Sequence, residues 1–330
     1  MVYLYKKIVN GNPYYYLRLS KKIKGKIVVR DIAYLGNDIS KIESKIPSKY
    51  KKEIRKAHRN IKKFIESEYY QKKITKLKDN SYLDKKLLRE IEAVKLHFNN
   101  VFLKADKRTI EETYKNFLID FAFNTTSMEG NTITLNEVDR LLRENLTPKN
   151  RTLREINDLK NTEKVFFELL DLKDEINHEL IIHIHDSLIE NVDERKGYRI
   201  HDIRVFKSNF EASPSKYIRA DMNILLEWFK KNKAKLHPFV LASIFHQKFE
   251  KIHPFADGNG RTGRMIMIYI LLEEKYPPFS VKKSNRGDYL DALKKGDDAN
   301  IEDINPKCFK PISEYLAKEL TGNYWNNFLI

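Results

Sequence analysis

The chain has 330 residues, of which 41% are hydrophobic, and its formal net charge is +16. This length suggests two domains, and so high a hydrophobic fraction excludes a disordered chain. The longest unbroken apolar run, Met265 to Leu272, has eight residues, whereas a membrane span needs about 20. The single cysteine, Cys308, excludes an internal disulfide and a cysteine metal cluster. The first residues lack a signal-peptide core, so we expect a soluble cytoplasmic protein.

The positive charge is concentrated in the first third of the chain. Residues 1–108 contain 29 basic and 11 acidic side chains, a net charge of +18, whereas residues 109–330 contain 33 and 35, a net charge of −2. This division predicts two parts with different partners. We expect a small β-meander over 1–38, a basic helical region over 39–108 and a charge-balanced domain over 109–322.

Three short strands are predicted over residues 1–36. Turn residues occur at 10–12 and 24–25, and between them apolar and polar side chains alternate with a period of two over 14–19. Two amphipathic helices follow within 40–105, and Asp79-Asn80-Ser81 separates them. A three-stranded sheet is marginal alone, so we expect it to pack on the first of these helices.

The lysine-rich surface of residues 1–108 has three interpretations. It is a solvated helix face, a patch that binds nucleic acid, or a patch that binds an acidic protein. Tyrosines lie among the lysines and could stack on bases, namely Tyr3, Tyr5, Tyr14, Tyr15 and Tyr16. We hypothesise that this region recruits a target or a nucleic acid.

From residue 109 onward the pattern is helical. Thr109 and Glu112 have the spacing of a capping box at the start of a helix. An irregular segment, which could form a hairpin, lies at 197–218. The apolar spacing predicts helices near 110–128, 135–144, 152–170, 177–190, 221–232 and 239–251.

One loop carries most of the chemistry. It runs from His253 to Arg264 between a helix ending near Ile252 and a second, wholly apolar helix. Glycines at 258, 260 and 263 allow backbone N–H groups to approach an anion at a helix N-terminus. Two arginines, a carboxylate and a histidine accompany them, which are the groups that a Mg²⁺-polyphosphate site needs. The same glycines match a dinucleotide fingerprint, but a helix rather than a strand precedes them.

This loop resembles the core signature of the Fic family, His-x-Phe-x-(Asp/Glu)-Gly-Asn-Gly-Arg-x-x-Arg. All eight specified positions match: His253, Phe255, Asp257, Gly258, Asn259, Gly260, Arg261 and Arg264. Upstream, Thr125 to Gly130 is similar to the family's inhibitory motif, (Ser/Thr)-x-x-x-Glu-(Gly/Asn), in an inhibitory helix at about 110–130. The wider resemblance covers roughly 109–320. It implies a mainly α fold, an all-α Fic helical core with a short β-hairpin flap, preceded here by the meander and basic helices.

The resemblance also implies an activity, the transfer of AMP from ATP to a protein hydroxyl on Ser, Thr or Tyr. It implies that His253 is the general base and Asp257 the Mg²⁺ ligand. The remaining phosphate-binding roles fall to Gly258, Asn259, Gly260, Arg261 and Arg264. Thr125, Glu129 and Gly130 would be inhibitory, with Glu129 pairing with Arg264. A flap at 204–217 would dock the target as an added strand, and the adenine pocket would involve Tyr289, Leu290 and Leu293.

Other functions stay open at this point. De-AMPylation or another phosphoryl-type transfer on the same scaffold is one alternative, and a nucleic-acid-binding regulator with a nucleotide-sensing Fic domain is another. The target could be a separate protein or the chain itself. Relatives with this inhibitory arrangement are often dimers, which makes a homodimer an expectation from resemblance only.

Overall fold

The structure, a computed structural model, describes residues 1–203 and 211–330, without the side chains of 51–54 and 56. Its described part contains three strands, β1 (Val2–Val9), β2 (Asn12–Ile23) and β3 (Lys26–Gly36). The described helices are α1 (Lys51–Lys73), α2 (Lys85–Asn100), α3 (Lys107–Met128), α4 (Leu135–Glu144), α5 (Leu153–Asp171), α6 (His178–Leu188), α7 (Ile218–Asn232), α8 (Pro238–Ile252), α9 (Asn259–Glu273), α10 (Arg286–Lys294) and α11 (Pro306–Asn327). The predicted mainly α fold with a small N-terminal sheet is confirmed.

The N-terminal strands form an antiparallel meander in the order β1-β2-β3. Asn10 and Gly11 take positive φ at the first turn, and Lys24 and Gly25 do so at the second, as two-residue hairpin turns require. The inner face of the sheet packs on α1 through a small core of its own that includes Leu4, Tyr15, Leu17 and Ile61. The expectation that the sheet packs on the following helix is therefore confirmed.

A second and much larger core surrounds α8 and α9. The buried residues of these two helices belong to one cluster with side chains of α2, α3, α5, α6, α7, α10 and α11. Phe328, just after α11, contacts Phe98 and Phe102 near the end of α2 and Phe117 of α3. Helix α2 thus packs against the C-terminal part of the chain. The division at residue 108 stays a prediction.

The start of α3 corrects one detail of the sequence analysis. Asp106, not Thr109, is the N-cap residue, and its Oδ1 accepts a hydrogen bond from the Thr109 backbone N–H at 3.0 Å. Thr109 donates its hydroxyl to the other carboxylate oxygen of Asp106. An aspartate caps a helix at least as well as a threonine, so the chain enters the helix three residues earlier than predicted.

The segment predicted to carry a flap is only partly described. Residues 204–210, the first half of that prediction, lie outside the described residues. Residues 211–214 are irregular, and Ser215–Tyr217 form a 3-10 turn that leads into α7. Among the described helices, none has the length and apolar character needed to cross a membrane.

Candidate active site

The loop between α8 and α9 has a residue in the left-handed backbone conformation at each end. His253, which ends α8, has φ 53°, and Gly258, which precedes α9, has φ 78°. Asn259 closes the loop from inside, because its Oδ1 accepts from the Phe255 N–H and its Nδ2 donates to the Phe255 carbonyl, each at 2.9 Å. The Phe255 ring is fully buried. These contacts fix the path of the loop before any ligand binds.

The first turn of α9 points its backbone N–H groups into a cleft that Glu129 already enters. A Cβ on Gly260 would come closer than 3.0 Å to Glu129 Oε1 and to Arg264 Nη1. Only glycine therefore leaves room for this carboxylate at the helix N-terminus. A helix N-terminus is a natural anion site, and here an internal anion lies against it.

Arg264 is bound by the end of α3 through three hydrogen bonds. Its Nη2 donates to Glu129 Oε1 at 2.6 Å and to the Thr125 carbonyl at 3.1 Å, and its Nε donates to Thr125 Oγ1 at 2.7 Å. Only 2% of Arg264 is exposed. Gly130, with φ 104°, ends α3 directly after Glu129. The predicted inhibitory residues and the second motif arginine thus lie together in the fold.

The ring of His253 is oriented by the end of its own helix. Its Nδ1 lies 3.2 Å from the Glu250 carbonyl, and because a carbonyl only accepts, Nδ1 carries the proton in the neutral ring and Nε2 is the basic nitrogen. Burial lowers the pKa of His253 below its usual value. The imidazole is therefore neutral near pH 7, the state that a general base needs.

Arg199 supports the same loop from outside it. Its Nε donates to the His253 carbonyl at 2.9 Å and its backbone N–H to the Pro254 carbonyl at 2.9 Å. The other guanidinium nitrogens donate to the carbonyls of His201 and Ser213. One buried arginine therefore connects the candidate base to both sides of the predicted flap.

The two remaining charged residues of the motif contact α5. Asp257 Oδ1 accepts from the Gly258 N–H at 2.7 Å, and its Oδ2 accepts from Arg154. Arg261 is buried and pairs with Asp158. Burial raises the pKa of Asp158, although Arg261 opposes that shift. The pairing with Asp158 therefore fixes Arg261, one of the two motif arginines, against α5.

A metal fits this site only as a partner of a bound phosphate. Among the described residues there is no group of three or more His, Cys, Asp or Glu side chains that could hold an ion. Asp257 provides a partly exposed carboxylate beside the loop, and Mg²⁺ is often held by one or two carboxylates together with substrate phosphates. The donor set is thus compatible with Mg²⁺ delivered with a nucleotide.

The three residues predicted to form the adenine pocket differ in their burial and in their contacts. Tyr289 and Leu293 are buried, whereas 41% of Leu290 is exposed. The Tyr289 hydroxyl lies 2.5 Å from His246 Nε2 and beside Arg264. Behind them burial raises the pKa of Glu250 to about 7. Of the three, Tyr289 is the one that the structure brings up to Arg264.

Four residues near the loop were not predicted as part of the site. Arg154, Asp158 and Arg199 contact it as described above, and the fourth is His185. The His185 ring stacks on Phe255 at 3.6 Å between centroids, and its Nε2 lies 3.1 Å from the Asp257 carbonyl. The spacing of Arg154 and Asp158, four apart on one helix, is a signal that could have pointed to a shared functional face.

Comparisons with known proteins identify the family that the motif region resembles. Residues 175–271 match the model of the Fic/DOC family. Protein adenylyltransferase fic-1 from Caenorhabditis elegans is 27% identical over 245 residues, which cover 72% of this chain and 46% of that protein. Protein adenylyltransferase Fic from Nematostella vectensis is 29% identical over 223 residues, 64% of this chain and 51% of that protein. The chain spans about half the length of the curated relatives it matches.

Solved structures show the same fold. A Fic-domain-containing signalling protein from Bacteroides thetaiotaomicron superposes with a TM-score of 0.64 at 22% identity, over 71% of this chain and 93% of that one. A fragment of Fic-1 from C. elegans gives a TM-score of 0.61 at 22% identity, over 83% and 84%. The chain thus has the fold of these Fic proteins, and the resemblance found in its sequence is confirmed.

Proposed function

We propose that this chain transfers AMP from ATP to a hydroxyl side chain of a protein, either a separate target or itself. One observation supports this function above the others: a neutral, oriented histidine and a helix N-terminus with a glycine N-cap share one loop between two buried helices. The relatives named protein adenylyltransferase are consistent with it. The reaction joins the target oxygen to the α-phosphorus, breaks the bond to the β-phosphate and releases pyrophosphate.

Each residue of the loop would have a separate role in this transfer. His253 would accept the hydroxyl proton through Nε2 as the oxygen attacks. The backbone N–H groups at 258–260 would bind the phosphate oxygens, and Asn259 would keep them in place through its two bonds to Phe255. Arg261 and Arg264 would bind the outer phosphates. Positioning and charge stabilisation are what transfer at phosphorus requires.

Magnesium would be held by Asp257 and the nucleotide. The ion would supply charge neutralisation for the phosphate oxygens. Arg154 now occupies Asp257 Oδ2, so it must leave this oxygen before a metal can bind there. Arg154 is about half exposed, which gives its side chain space to move into solvent.

We further propose that Glu129 keeps the activity low. Its carboxylate neutralises Arg264 and lies over the first turn of α9. A γ-phosphate that approached Arg264 would meet this negative charge, so ATP would bind in an unproductive position. Release of Glu129 would restore both the arginine and the helix N-terminus to the nucleotide.

The same carboxylate favours a second candidate, removal of AMP from a modified target. In that reaction water attacks the phosphodiester, the bond to the target oxygen breaks, and AMP leaves. A carboxylate beside the anion site could orient that water. De-AMPylation would therefore require Glu129, whereas AMP transfer would be slowed by it.

The experiment compares wild type, Glu129→Gly and His253→Ala, incubated with Mg²⁺ and ATP labelled at the α- or the γ-phosphate. Label from the α position only, strongest in Glu129→Gly and absent in His253→Ala, would support AMP transfer with an internal inhibitor. Label from the γ position would instead identify a kinase. Loss of AMP from a pre-labelled protein in wild type but not in Glu129→Gly would support the second candidate.

A further inference from the structure

The outer face of the N-terminal sheet carries a row of aromatic rings that the Fic domain does not use. Strand alternation sends Leu4, Tyr15 and Leu17 inward onto α1. The alternate positions lie on the opposite face, and we call them the tyrosine face: Tyr3, Tyr5, Tyr14, Tyr16 and Tyr34. We propose that the tyrosine face is a stacking surface for single-stranded nucleic acid.

The rings form one continuous patch across all three strands. Tyr5 pairs with Tyr16, which pairs with Tyr34. The Tyr16 and Tyr34 centroids lie 5.3 Å apart, and those of Tyr14 and Tyr34 lie 6.4 Å apart. Tyr34 is 56% exposed, and the other four are partly exposed. The two ring pairs are tilted by 31° and 47°, and accessible aromatic rings on a sheet face are groups on which bases stack.

The charge around the tyrosine face fits a polyanion. Residues 1–36 contain six lysines and two arginines against one aspartate, a net charge of +7. That aspartate, Asp31, is paired with Arg18 at 2.5 Å, and the Arg18 guanidinium lies 3.3 Å from the centre of the Tyr5 ring. Exposed lysines extend the patch along the β2–β3 hairpin, at Lys21, Lys22, Lys24 and Lys26.

The aromatic rings and the positive charge together favour single-stranded nucleic acid over the other possible ligands. The carboxylates of an acidic protein would bind the lysines, but they would make no use of five tyrosine rings. A proline-rich peptide would use an aromatic surface but gains nothing from a charge of +7. Duplex nucleic acid would use the charge, but its bases are already stacked on each other. A single strand offers both phosphates and free base faces.

The test uses the full chain without ATP, so it does not depend on the proposed AMP transfer. Fluorescence anisotropy would follow binding of fluorescein-labelled 20-nucleotide strands of mixed sequence, as RNA and as DNA. Tyr16→Ala/Tyr34→Ala is expected to weaken binding at least about tenfold, since each stacked base is worth about 1–3 kcal/mol. Tyr16→Phe/Tyr34→Phe keeps both ring faces and is expected to stay within about twofold of wild type. Tyr217→Ala, an exposed tyrosine outside the sheet, is the matched control.

The salt dependence of binding would distinguish the contribution of the stacking rings from that of the lysines. Lys22→Gln/Lys24→Gln is expected to lower the slope of log affinity against log salt by roughly 1, whereas the tyrosine variants leave that slope unchanged. The proposal is overturned if wild type binds no single strand at 50 mM salt. It is also overturned if Tyr16→Ala/Tyr34→Ala binds as tightly as wild type, or if duplex or a proline-rich peptide binds more tightly than the single strand. Far-ultraviolet circular dichroism would show that each variant is folded.

Discussion

Glu129 Oε1 lies 2.6 Å from Arg264 Nη2, across 135 residues of chain and directly over the first turn of α9. Because this contact removes the arginine from a nucleotide phosphate, Glu129→Gly is expected to raise the initial rate of AMP incorporation at least about tenfold. Glu129→Gln keeps the size but not the charge and should give an intermediate rate. The exposed Glu111→Gln on the same helix is the control, with the wild-type rate. Equal rates for wild type and Glu129→Gly would contradict inhibition by this residue.

Gly260 provides a test of the same contact that does not depend on catalysis. A Cβ there would collide with Glu129 Oε1 and Arg264 Nη1, so Gly260→Ala is expected to destabilise the wild-type background by about 1–3 kcal/mol. In a Glu129→Gly background the carboxylate is gone. Alanine should then destabilise less, because only the end of the Arg264 side chain lies within 3.0 Å of the added Cβ. Thermal unfolding of the four proteins would measure this coupling, and additive effects would show that the two positions do not touch.

The pKa of His253 is expected to determine how the transfer rate falls at acid pH. Burial lowers its pKa below the ordinary value of about 6.5, and the base is active when it is deprotonated. The rate should therefore fall only as pH drops below about 6.5, and remain constant from there to pH 8. Self-modification by Glu129→Gly at saturating ATP and Mg²⁺ would give the profile. A midpoint above pH 7 would mean that another group controls the rate.

Much of this arrangement could be predicted from the motif and from the helix periodicity of the sequence. Helix α4 has the predicted bounds, and the pairing of Glu129 with Arg264 was implied by two short motifs. Arg154 and Asp158 were missed because they reach the loop only when α5 packs beside it, 103 residues away in the chain. Sequence spacing describes one helix face but not the partner of that face.

The tertiary contacts of His185 and α2 could not be predicted for a related reason. The stack of His185 on Phe255 depends on how α6 lies against the loop. The apolar stripe of α2 predicted burial correctly, but its contacts with α11 and Phe328 follow from tertiary packing alone. The roles assigned to the motif residues stay predictions.

Arg199 is expected to act as a positioning residue. It connects the carbonyls of His253, His201 and Ser213 through one guanidinium group. Arg199→Lys keeps the charge but not the fork of donors, so we expect the transfer rate to fall about tenfold or more while ATP affinity stays within about twofold. Isothermal titration and initial rates would separate the two quantities. Arg195→Lys, an exposed arginine of the preceding loop, is the control, and an unchanged rate in Arg199→Lys would remove the residue from this role.

His97 is expected to make the fold sensitive to acid. It lies between α2 and α11, with Nδ1 2.6 Å from the Tyr324 hydroxyl and its ring against Tyr70 and Trp325. Burial, with a contribution from Lys62, lowers its pKa to about 4. Between pH 6.5 and 4 the unfolded state therefore binds more protons than the folded one. The free energy of unfolding should fall by about 3 kcal/mol as pH drops through this window.

Denaturant unfolding at a series of pH values would isolate this contribution. His97→Phe keeps an aromatic ring among its neighbours but leaves the Tyr324 hydroxyl without this hydrogen-bond partner, so it should be less stable than wild type at pH 7 by about 1–3 kcal/mol. Its stability should then fall less steeply toward pH 4, because no imidazole has to be charged inside the core. His58→Gln changes an exposed histidine and should retain the wild-type slope. If His97→Phe lost stability as steeply as wild type between pH 6.5 and 4, the acid sensitivity would arise elsewhere in the core.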